Sequence, residues 1–219
     1  MTDVIVPVKD LLLAKSRLSG VLSQDERGKL VCAMLRDQLA NLKQSNVKNI
    51  WLVARDHEVL KVGKQFNVGL VTEAHSTGYN KAVLRGLACV SIDSPVLVLP
   101  ADLPLLQASD VNNLISSCNF SEPTVGIVPD RRWQGTNALY LSKPYLIETK
   151  FGHNSLLEHK SAAALIGVTT QTITVQNLSL DIDTSDDLRL YLETRRAGAT
   201  LNFLRSISFG KSHQHMELL

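Results

Sequence analysis

Three carboxylates lie beside segments that the sequence predicts to be extended. The run VLVLPADLPLL, residues 96–106, begins as an unbroken apolar strand pattern that ends at proline, and Asp102 follows directly. Ligands of open α/β sheets bind beyond the carboxyl ends of the strands, where Asp102 is expected to lie. Asp181 and Asp183 are two apart in the extended segment LDIDTSDDL, so their side chains point to the same side. The three carboxylates could therefore converge on a hard cation, although a cap on the next turn would also explain Asp102.

Asp186 and Asp187 follow in the same segment but are expected to lie outside this site. They fall in the first turn of a predicted helix, where the positive end of the helix dipole is enough to account for acidic side chains. The predicted metal ligands are therefore Asp102, Asp181 and Asp183.

Three cations follow the first predicted strand, in the segment PVKDLLLAKSRLSG. Lys9, Lys15 and Arg17 are close enough along the chain to neutralise a polyphosphate together, and the Arg17 guanidinium can bind two phosphate oxygens at once. A solvated basic surface is the alternative explanation of the same spacing. Neither G-x-G-x-x-G nor G-x-x-x-x-G-K-[ST] occurs in the chain, so ordinary dinucleotide-binding and P-loop sites lose their main support.

Two short segments, RRWQGTNALYL and FGHNSLLEH, combine glycine with a hydroxyl side chain. In the first, Gly135 allows a close backbone approach and Thr136 adds a hydroxyl just before an apolar strand. In the second, Gly152 and Ser155 open a helix whose free backbone amides attract anions. Each segment alone is typical of a turn or a helix cap, but together they predict a second anion-binding site, separate from the basic segment.

Strand and helix patterns alternate along the chain, which predicts one α/β domain. The predicted strands are 4–8, 50–54, 68–71, 96–99, 124–128, 137–141 and 172–175, and the predicted helices are 23–44, 56–66, 79–91, 110–118, 156–167 and 184–198. Ser23 with Glu26 predicts a capping box for the first helix, and Gly198 is expected to stop the last one. The domain is expected at residues 1–201. A mobile or partner-docking tail is expected at 202–219, where the stretch KSHQH lacks the carboxylate or cysteine partners of a metal site.

Composition and charge favour a small ligand over a macromolecular one. A chain of 219 residues with 44% hydrophobic residues can form a full core, and a net charge of +2 disfavours a surface dedicated to nucleic acid or to an anionic membrane. The scattered cysteines Cys32, Cys89 and Cys118 have no C-x-x-C spacing, which favours a reducing cytoplasm. No apolar signal core follows the N-terminus, and no stretch reaches the roughly 18 apolar residues that a membrane span needs, so we expect a cytoplasmic protein.

Seven short segments occur in an order typical of one family: PVK, AKSRL, GYN, PADLPLL, GTNAL, FGHNSLLEH and DIDTSDDL. The chain thereby resembles the CofC-type guanylyltransferases, which make the guanylylated precursor in the biosynthesis of the deazaflavin coenzyme F420. The resemblance covers about residues 4–190. Members of this family look like the wider nucleotidyltransferase group that includes molybdenum-cofactor guanylyltransferase and sugar-phosphate nucleotidyltransferases. The resemblance implies a three-layer α/β/α, Rossmann-like fold with a mostly parallel central sheet.

The resemblance also implies a role for each candidate site residue. The assignments are Mg²⁺ at Asp102, Asp181 and Asp183, triphosphate at Lys15 and Arg17 with Lys9 beside them, nucleoside near Gly78 and Asn80, and the acceptor at Thr136, Gly152 and Ser155. Lys15, Arg17 and Asp102 are the expected catalytic groups. The implied reaction transfers GMP from GTP to 2-phospho-L-lactate, phosphoenolpyruvate or 3-phospho-D-glycerate and releases pyrophosphate. The acceptor phosphate is already anionic near neutral pH, so no general base is needed.

Departures from the family pattern and two alternative functions stay open at this point. Tyr79, His153 and Leu156 stand where other residues are usual, which bears on substrate detail and not on the reaction class. A molybdopterin or sugar-phosphate nucleotidyltransferase would share the fold and the metal site, but the first kind usually has a glycine-rich loop where this chain has PVKDLLLAKSRL. A non-catalytic nucleotide-binding module is the second alternative. Charged residues are costly to hold close together, and a site without turnover commonly loses them. The presence of the whole set argues against this alternative: Asp102, Asp181, Asp183, Lys15 and Arg17. A homodimer is compatible with the sequence.

Overall fold

The computed structural model of the chain describes residues 1–75, 78–118 and 123–209. The strands in this part of the chain are β1 (Asp3–Pro7), β2 (Ile50–Ala54), β3 (Gly69–Thr72), β4 (Val96–Val98), β5 (Thr124–Pro129), β6 (Thr136–Leu141) and β7 (Thr169–Thr172). The helices are α1 (Gln24–Leu42), α2 (His57–Gln65), α3 (Tyr79–Leu87), α4 (Ala108–Ser117), α5 (Ser155–Leu165), α6 (Gln176–Ser179), α7 (Ser185–Glu193) and α8 (Ala199–Ser206). A turn of 3-10 helix, Ser16–Leu18, lies between β1 and α1.

The described strands form one seven-stranded sheet in the order β3-β2-β1-β4-β6-β5-β7. β1 pairs in parallel with β2 and β4, and the pairs β2–β3 and β5–β7 are also parallel. β6 runs antiparallel to both of its neighbours, β4 and β5. The predicted α/β fold with a mostly parallel central sheet is therefore confirmed.

Helices cover both faces of this sheet because side chains along each strand alternate between two cores. In β1, Ile5 points into a core that includes α3 and α5, whereas Val4 and Val6 point into a larger core with α1, α4 and α7. All three of these side chains are fully buried. Burial on both faces also explains why Val96–Val98 reads as a continuous apolar run. Among the described helices, none combines the length and the apolar character that a membrane crossing requires.

The predicted start of α1 is confirmed, but the predicted end of α7 is wrong. The capping box of α1 forms between Ser23 and Glu26. α7 ends at Glu193, and Gly198 is the N-cap residue of α8 instead of the stop signal of α7. The physical reason lies in α1, where the Asp37 carboxylate accepts hydrogen bonds from the first two amides of α8 and so supports a new helix.

Helix α8 runs across the predicted boundary between a domain of 1–201 and a tail of 202–219. Leu201 and Leu204 are buried in the core that α1 lines. The chain is therefore packed beyond residue 201, because α8 continues to Ser206. The KSHQH stretch lies outside the described residues.

The last strand, β7, lies three residues before the predicted strand 172–175. Parallel pairing sets Thr124 of β5 opposite Thr169 and Ile127 opposite Thr172, so the polar stretch TTQT forms the edge strand. Ile173 and Val175, whose apolar character suggested the later position, pack against the core instead. Pairing with β5 therefore decides the position of β7 more than its own hydrophobicity does.

The antiparallel direction of β6 brings its first residues to the same sheet edge as the last residues of its neighbours. Pro129 at the end of β5 lies opposite Thr136 at the start of β6. The segments after β1 and β4 also leave the sheet at this edge, because those strands are parallel to each other. Three segments with candidate site residues therefore meet at one edge of the sheet.

Docking of α8 on α1 gives a first testable prediction. Asp37→Ala removes the carboxylate that binds the Ala199 and Thr200 amides at 2.6 and 2.8 Å, so we expect the free energy of unfolding in urea to fall by about 1–2 kcal/mol. Asp93→Ala is the matched control, because Asp93 is exposed and makes no ion pair within the described residues. Equal stability of the two variants would contradict the capping role of Asp37.

Candidate active site

The sheet edge holds a cavity of about 610 Å³. Its lining includes nine of the residues that the sequence predicted for the site: Lys9, Lys15, Arg17, Asp102, Thr136, Gly152, Ser155, Asp181 and Asp183. The described lining also contains Arg132 and Asp130, which sequence reasoning did not select. The structure therefore brings together the predicted metal ligands, the basic segment and the residues of the second predicted anion-binding site around one space.

The three predicted metal ligands converge within this cavity. One carboxylate oxygen from each of Asp102, Asp181 and Asp183 lies within 4.8 Å of the other two. Asp102 Oδ1 is buried and has no hydrogen-bond partner in the described part of the chain. Burying a carboxylate oxygen without a hydrogen-bond donor or a cation lowers the stability of the folded protein. Oxygen ligands at this spacing suit a small hard cation.

Lys15 binds two of these carboxylates and is itself almost completely buried. Its ammonium group donates to the Asp102 carboxylate and, at 2.7 Å, to Asp183 Oδ1. Burial alone would lower the pKa of Lys15, but the charges of Asp102 and Asp183 outweigh it and raise the pKa above its ordinary value. The backbone of Lys15 is left-handed, with φ 52°, a conformation that non-glycine residues adopt at a cost. This unfavourable backbone conformation occurs at the residue whose side chain turns inward to the carboxylates.

The carboxylates of Asp181 and Asp183 have opposite electrostatic environments. Burial and the nearby Asp102 charge raise the pKa of Asp181. Burial also acts on Asp183, but the Lys15 ammonium overcomes it and lowers the pKa of Asp183 below its ordinary value. Asn137 donates a hydrogen bond to Asp181 Oδ1 at 3.1 Å, which offsets part of this rise in the pKa. Sequence reasoning missed Asn137, although a buried amide at the start of an apolar strand was the available signal.

The backbone near the carboxylates is held by polar side chains from other elements. Gln38 of α1 is fully buried and donates to the Pro100 carbonyl at 2.8 Å, which fixes the turn before Asp102. The Asp187 carboxylate accepts from the amide of Asp183 at 3.1 Å. Asp187 therefore lies outside the carboxylate cluster, as predicted, and it positions the segment that carries the cluster. Gln38 was also missed, because a glutamine inside a helix pattern gives no signal of what it faces.

The other basic side chains line the open part of the cavity. The Arg17 side chain is 68% exposed, and its Nη1 lies 3.8 Å from Asp183 Oδ2. Lys9 Nζ lies 5.8 Å from the centre of the Tyr79 ring, within the range of a cation–π contact. The predicted clustering of Lys9, Lys15 and Arg17 is therefore seen, with Lys15 turned inward and the other two toward the cavity mouth.

Thr136, Gly152 and Ser155 form the opposite wall. Gly152 has φ 135°, in the region that favours glycine, and no atom lies within 4 Å of the position where a Cβ would be. Ser155 is the first residue of α5, is buried as a residue and lines the cavity. The Leu156 amide donates to the Gln134 carbonyl at 3.1 Å, which ties the start of α5 to the loop before Thr136. These contacts bring the two glycine–hydroxyl segments into one wall.

His159 lies behind this wall, fully buried. Its Nδ1 is 3.0 Å from Thr136 Oγ1, and its Nε2 accepts a hydrogen bond from the Lys150 amide at 2.9 Å. The Phe151 ring packs edge-on against the imidazole with the centroids 4.9 Å apart. Burial lowers the pKa of His159 to about 4, so the ring is neutral at pH 7.

Gly78 and Asn80, predicted to contact the nucleoside, are not among the described residues that line the cavity. Asn80 Nδ2 donates to the Phe151 carbonyl at 3.0 Å, and the Phe151 amide donates to Asn80 Oδ1 at 2.8 Å. Because both ends of its amide are bound to backbone, Asn80 holds the Phe151–Gly152 segment in place. These hydrogen bonds do not support a nucleoside contact from the Asn80 side chain.

The buried imidazole predicts a pH-dependent stability. In the unfolded chain the pKa of His159 returns to about 6.5, above the folded value of about 4. The unfolded state therefore binds a proton first, and stability is lost as pH falls below about 6.5. Between pH 7 and pH 5, we expect the free energy of unfolding of the wild type to fall by about 2 kcal/mol more than that of His159→Gln. Urea denaturation measures both, and the exposed His153→Gln is the control that should follow the wild type.

Comparison with known proteins assigns the chain to a family. The family model described as "Guanylyl transferase CofC like" matches residues 2–218. A phosphoenolpyruvate guanylyltransferase from Conexibacter woesei is 32% identical over 204 residues, which cover 90% of this chain and 92% of that protein. A 2-phospho-L-lactate guanylyltransferase from Methanobrevibacter smithii is 29% identical, with 96% of this chain and 92% of that protein covered. The solved structure of a nucleotidyl transferase from Methanothermobacter has the same fold, with a TM-score of 0.67, 17% identity and coverage of 94% of this chain and 99% of that one. The chain belongs to the CofC-like guanylyltransferase family and is a nucleotidyltransferase.

Proposed function

We propose that this protein transfers GMP from GTP to a small phosphorylated carboxylic acid and releases pyrophosphate. The observation that carries the proposal is the carboxylate cluster, which lies in one cavity between a basic segment and a wall of hydroxyl and backbone groups. Two anionic substrates and a cation between them fit this arrangement of charges. The membership of the chain in the CofC-like family supports the same reaction.

Mg²⁺ is the proposed cofactor, and the residues present fit it. Asp102, Asp181 and Asp183 offer hard oxygen ligands at a mutual spacing below 4.8 Å, and Asp102 Oδ1 has no protein donor within the described residues. The charges also balance, because three carboxylates and the Lys15 ammonium sum to −2, which a divalent cation neutralises. When bound, such an ion neutralises charge on the transferred phosphoryl group and on the leaving pyrophosphate.

The basic segment is proposed to bind the triphosphate. Lys15 lies deepest, beside the carboxylates, and is positioned to reach the phosphate nearest the reacting centre. Arg17 and Lys9 are nearer the mouth, where the outer phosphates would lie. Arginine binds two phosphate oxygens through parallel N–H groups. Arg17 can therefore stabilise the negative charge that develops on the pyrophosphate as it leaves.

The opposite wall is proposed to bind the acceptor. Thr136, Ser155 and the backbone amides near Gly152 offer hydrogen-bond donors to the carboxylate or phosphate oxygens of a small acid. A phosphate oxygen of the acceptor attacks the α-phosphorus of GTP, the new P–O bond forms, and the bond to the β-phosphate oxygen breaks as pyrophosphate leaves. The attacking oxygen is already ionised near neutral pH, so the protein needs to orient it and not to deprotonate it.

The acceptor is proposed from the names of relatives. Phosphoenolpyruvate is the acceptor named for the Conexibacter protein and 2-phospho-L-lactate the one named for the Methanobrevibacter protein. 3-Phospho-D-glycerate is a third acid of the same size. A guanylylated acid of this kind would serve coenzyme F420 biosynthesis in the cytoplasm, and that pathway is part of the proposal.

The direct test is mass spectrometry of the products after incubation with GTP, Mg²⁺ and the three acids in competition. We expect one guanylylated acid and an equal amount of pyrophosphate. Release of no pyrophosphate with any triphosphate would favour a non-catalytic nucleotide-binding module. Turnover with a sugar phosphate or molybdopterin, and with none of the acids, would favour the other nucleotidyltransferases.

Replacing a single metal ligand should stop the reaction without unfolding the protein. Asp102→Asn keeps the size of the side chain but removes a charged ligand, so we expect kcat to fall at least about a hundredfold. Asp186→Asn is the matched control in the segment next to the cluster, where Asp186 pairs only with Arg189 among the described residues, and its kcat should stay near that of the wild type. Near-normal turnover of Asp102→Asn at limiting Mg²⁺ would disprove the metal assignment.

The two anion sites should respond to different substrates. Arg17→Ala is expected to raise KM for GTP, or to lower kcat if the contact strengthens as pyrophosphate leaves. Ser155→Ala removes one hydroxyl from a helix start that keeps its amides, so we expect a loss of about 1–2 kcal/mol confined to the acid. Steady-state kinetics with each substrate varied in turn measures both effects. A Ser155→Ala variant that weakens GTP and spares the acid would reverse the assignment of the two sites.

A further inference from the structure

His159 has no surface of its own in the cavity, yet it contacts a residue that does. The side chain is 0% exposed. Its two ring nitrogens face two parts of the acceptor wall, with Nδ1 3.0 Å from Thr136 Oγ1 and Nε2 2.9 Å from the Lys150 amide nitrogen. Any effect of His159 on a substrate must therefore pass through the residues that it contacts, which include the cavity-lining ring of Phe151 as well as these two polar partners.

The Lys150 contact fixes where the imidazole carries its proton. A backbone amide can only donate, so Nε2 must accept and cannot hold a hydrogen. A neutral imidazole then carries its hydrogen on Nδ1, and this Nδ1–H donates to Thr136 Oγ1. The edge-on contact with Phe151 holds the ring in the plane that both hydrogen bonds require.

This hydrogen bond determines what the Thr136 hydroxyl can do. Its oxygen accepts from His159, which leaves the hydroxyl hydrogen to be donated elsewhere, and the described residues provide no second partner for it. Thr136 is on the cavity wall, so the free direction is toward bound substrate. A hydroxyl that must donate favours a partner that only accepts, such as a carboxylate or phosphate oxygen.

We infer that His159 is a positioning residue, which orients the Thr136 hydroxyl as a hydrogen-bond donor to an anionic oxygen of the acceptor. The same imidazole accepts a hydrogen bond from the Lys150 amide, and this contact fixes the tautomer that the role requires. Orienting the hydroxyl before the acid arrives reduces the entropy lost on binding.

Two substitutions separate the two contacts of the ring. The amide of glutamine reaches the position of Nε2, so His159→Gln keeps an acceptor for Lys150 and loses the donor to Thr136. The amide of asparagine reaches the position of Nδ1, so His159→Asn keeps the donor and loses the Lys150 contact. We expect His159→Gln to raise KM for the acid about tenfold with KM for GTP unchanged, and His159→Asn to recover most of that loss.

A double-mutant cycle tests whether His159 acts through Thr136. Thr136→Val removes the hydroxyl at nearly constant volume and should raise KM for the acid about tenfold by itself. In the Thr136→Val background, His159→Gln should then change KM for the acid less than about twofold. A further rise of about tenfold in that background, or an equal rise in KM for GTP, would show a structural role and overturn the inference.

A measurement without substitution covers the case in which His159→Gln does not fold. In ¹⁵N NMR spectra of the wild type with phosphoenolpyruvate, Mg²⁺ and GTP, the His159 ring should show a protonated Nδ1 and an unprotonated Nε2. The opposite tautomer would overturn the inference. The inference rests on the proposed function, and the two can fail separately. If the wild type forms no product with any acid, the proposed function fails and the inference fails with it. If the wild type is active but the effects of Thr136→Val and His159→Gln on KM for the acid are additive, only the role of His159 is rejected.

Discussion

The arrangement of the whole site depends on one interaction, the burial of the Lys15 ammonium between the carboxylates of Asp102 and Asp183. Three carboxylates within 4.8 Å repel one another, and burial makes their repulsion stronger. A single buried cation reduces the charge of the cluster to −2 and still leaves carboxylate oxygens for a metal ion. The left-handed backbone of Lys15 is consistent with a segment that is bent to deliver this charge.

The sheet topology explains why the basic segment, the carboxylates and Thr136 meet at one edge of the sheet. β1 and β4 are parallel neighbours, so the segments that carry Lys15 and Asp102 leave the sheet side by side. β6 enters from the same edge because it runs antiparallel to β4, and it brings Thr136 to the other side of the carboxylates. A fully parallel sheet would have put the start of this strand at the far edge. The reversal of β6 is thus the feature that brings Thr136 to the same cavity as the carboxylates and the basic segment.

Much of the site could be predicted from the sequence because the relevant signals are local. Asp102 follows an apolar strand run, and Asp181 and Asp183 have the two-residue spacing of side chains that share one direction. The position of β7 and the role of Gly198 could not be predicted, because pairing with β5 and the Asp37 carboxylate decide them. Both depend on chain segments far away in the sequence.

The residues that sequence reasoning missed act through their contacts and not through their type. Gln38 holds the turn before Asp102 from a helix 62 residues before Pro100, and Asn137 binds Asp181 across 44 residues. Asn80 was assigned to the nucleoside by resemblance, but its amide is bound to the Phe151 backbone. The last histidine of FGHNSLLEH, His159, gives no sign in the sequence that its partner is Thr136. Such pairings arise only when the elements pack, so a pattern of residue types does not contain them.

The central claim, that the three carboxylates form the metal site, is tested most directly by diffraction from crystals soaked with Mn²⁺ and phosphoenolpyruvate. Mn²⁺ substitutes for Mg²⁺ on oxygen ligands and gives an anomalous signal that locates it. We predict one anomalous peak within about 2.5 Å of oxygens from Asp102, Asp181 and Asp183, with Lys15 still beside the cluster. A peak bound at another site, or no peak at the carboxylates in the soaked crystals, would contradict the account.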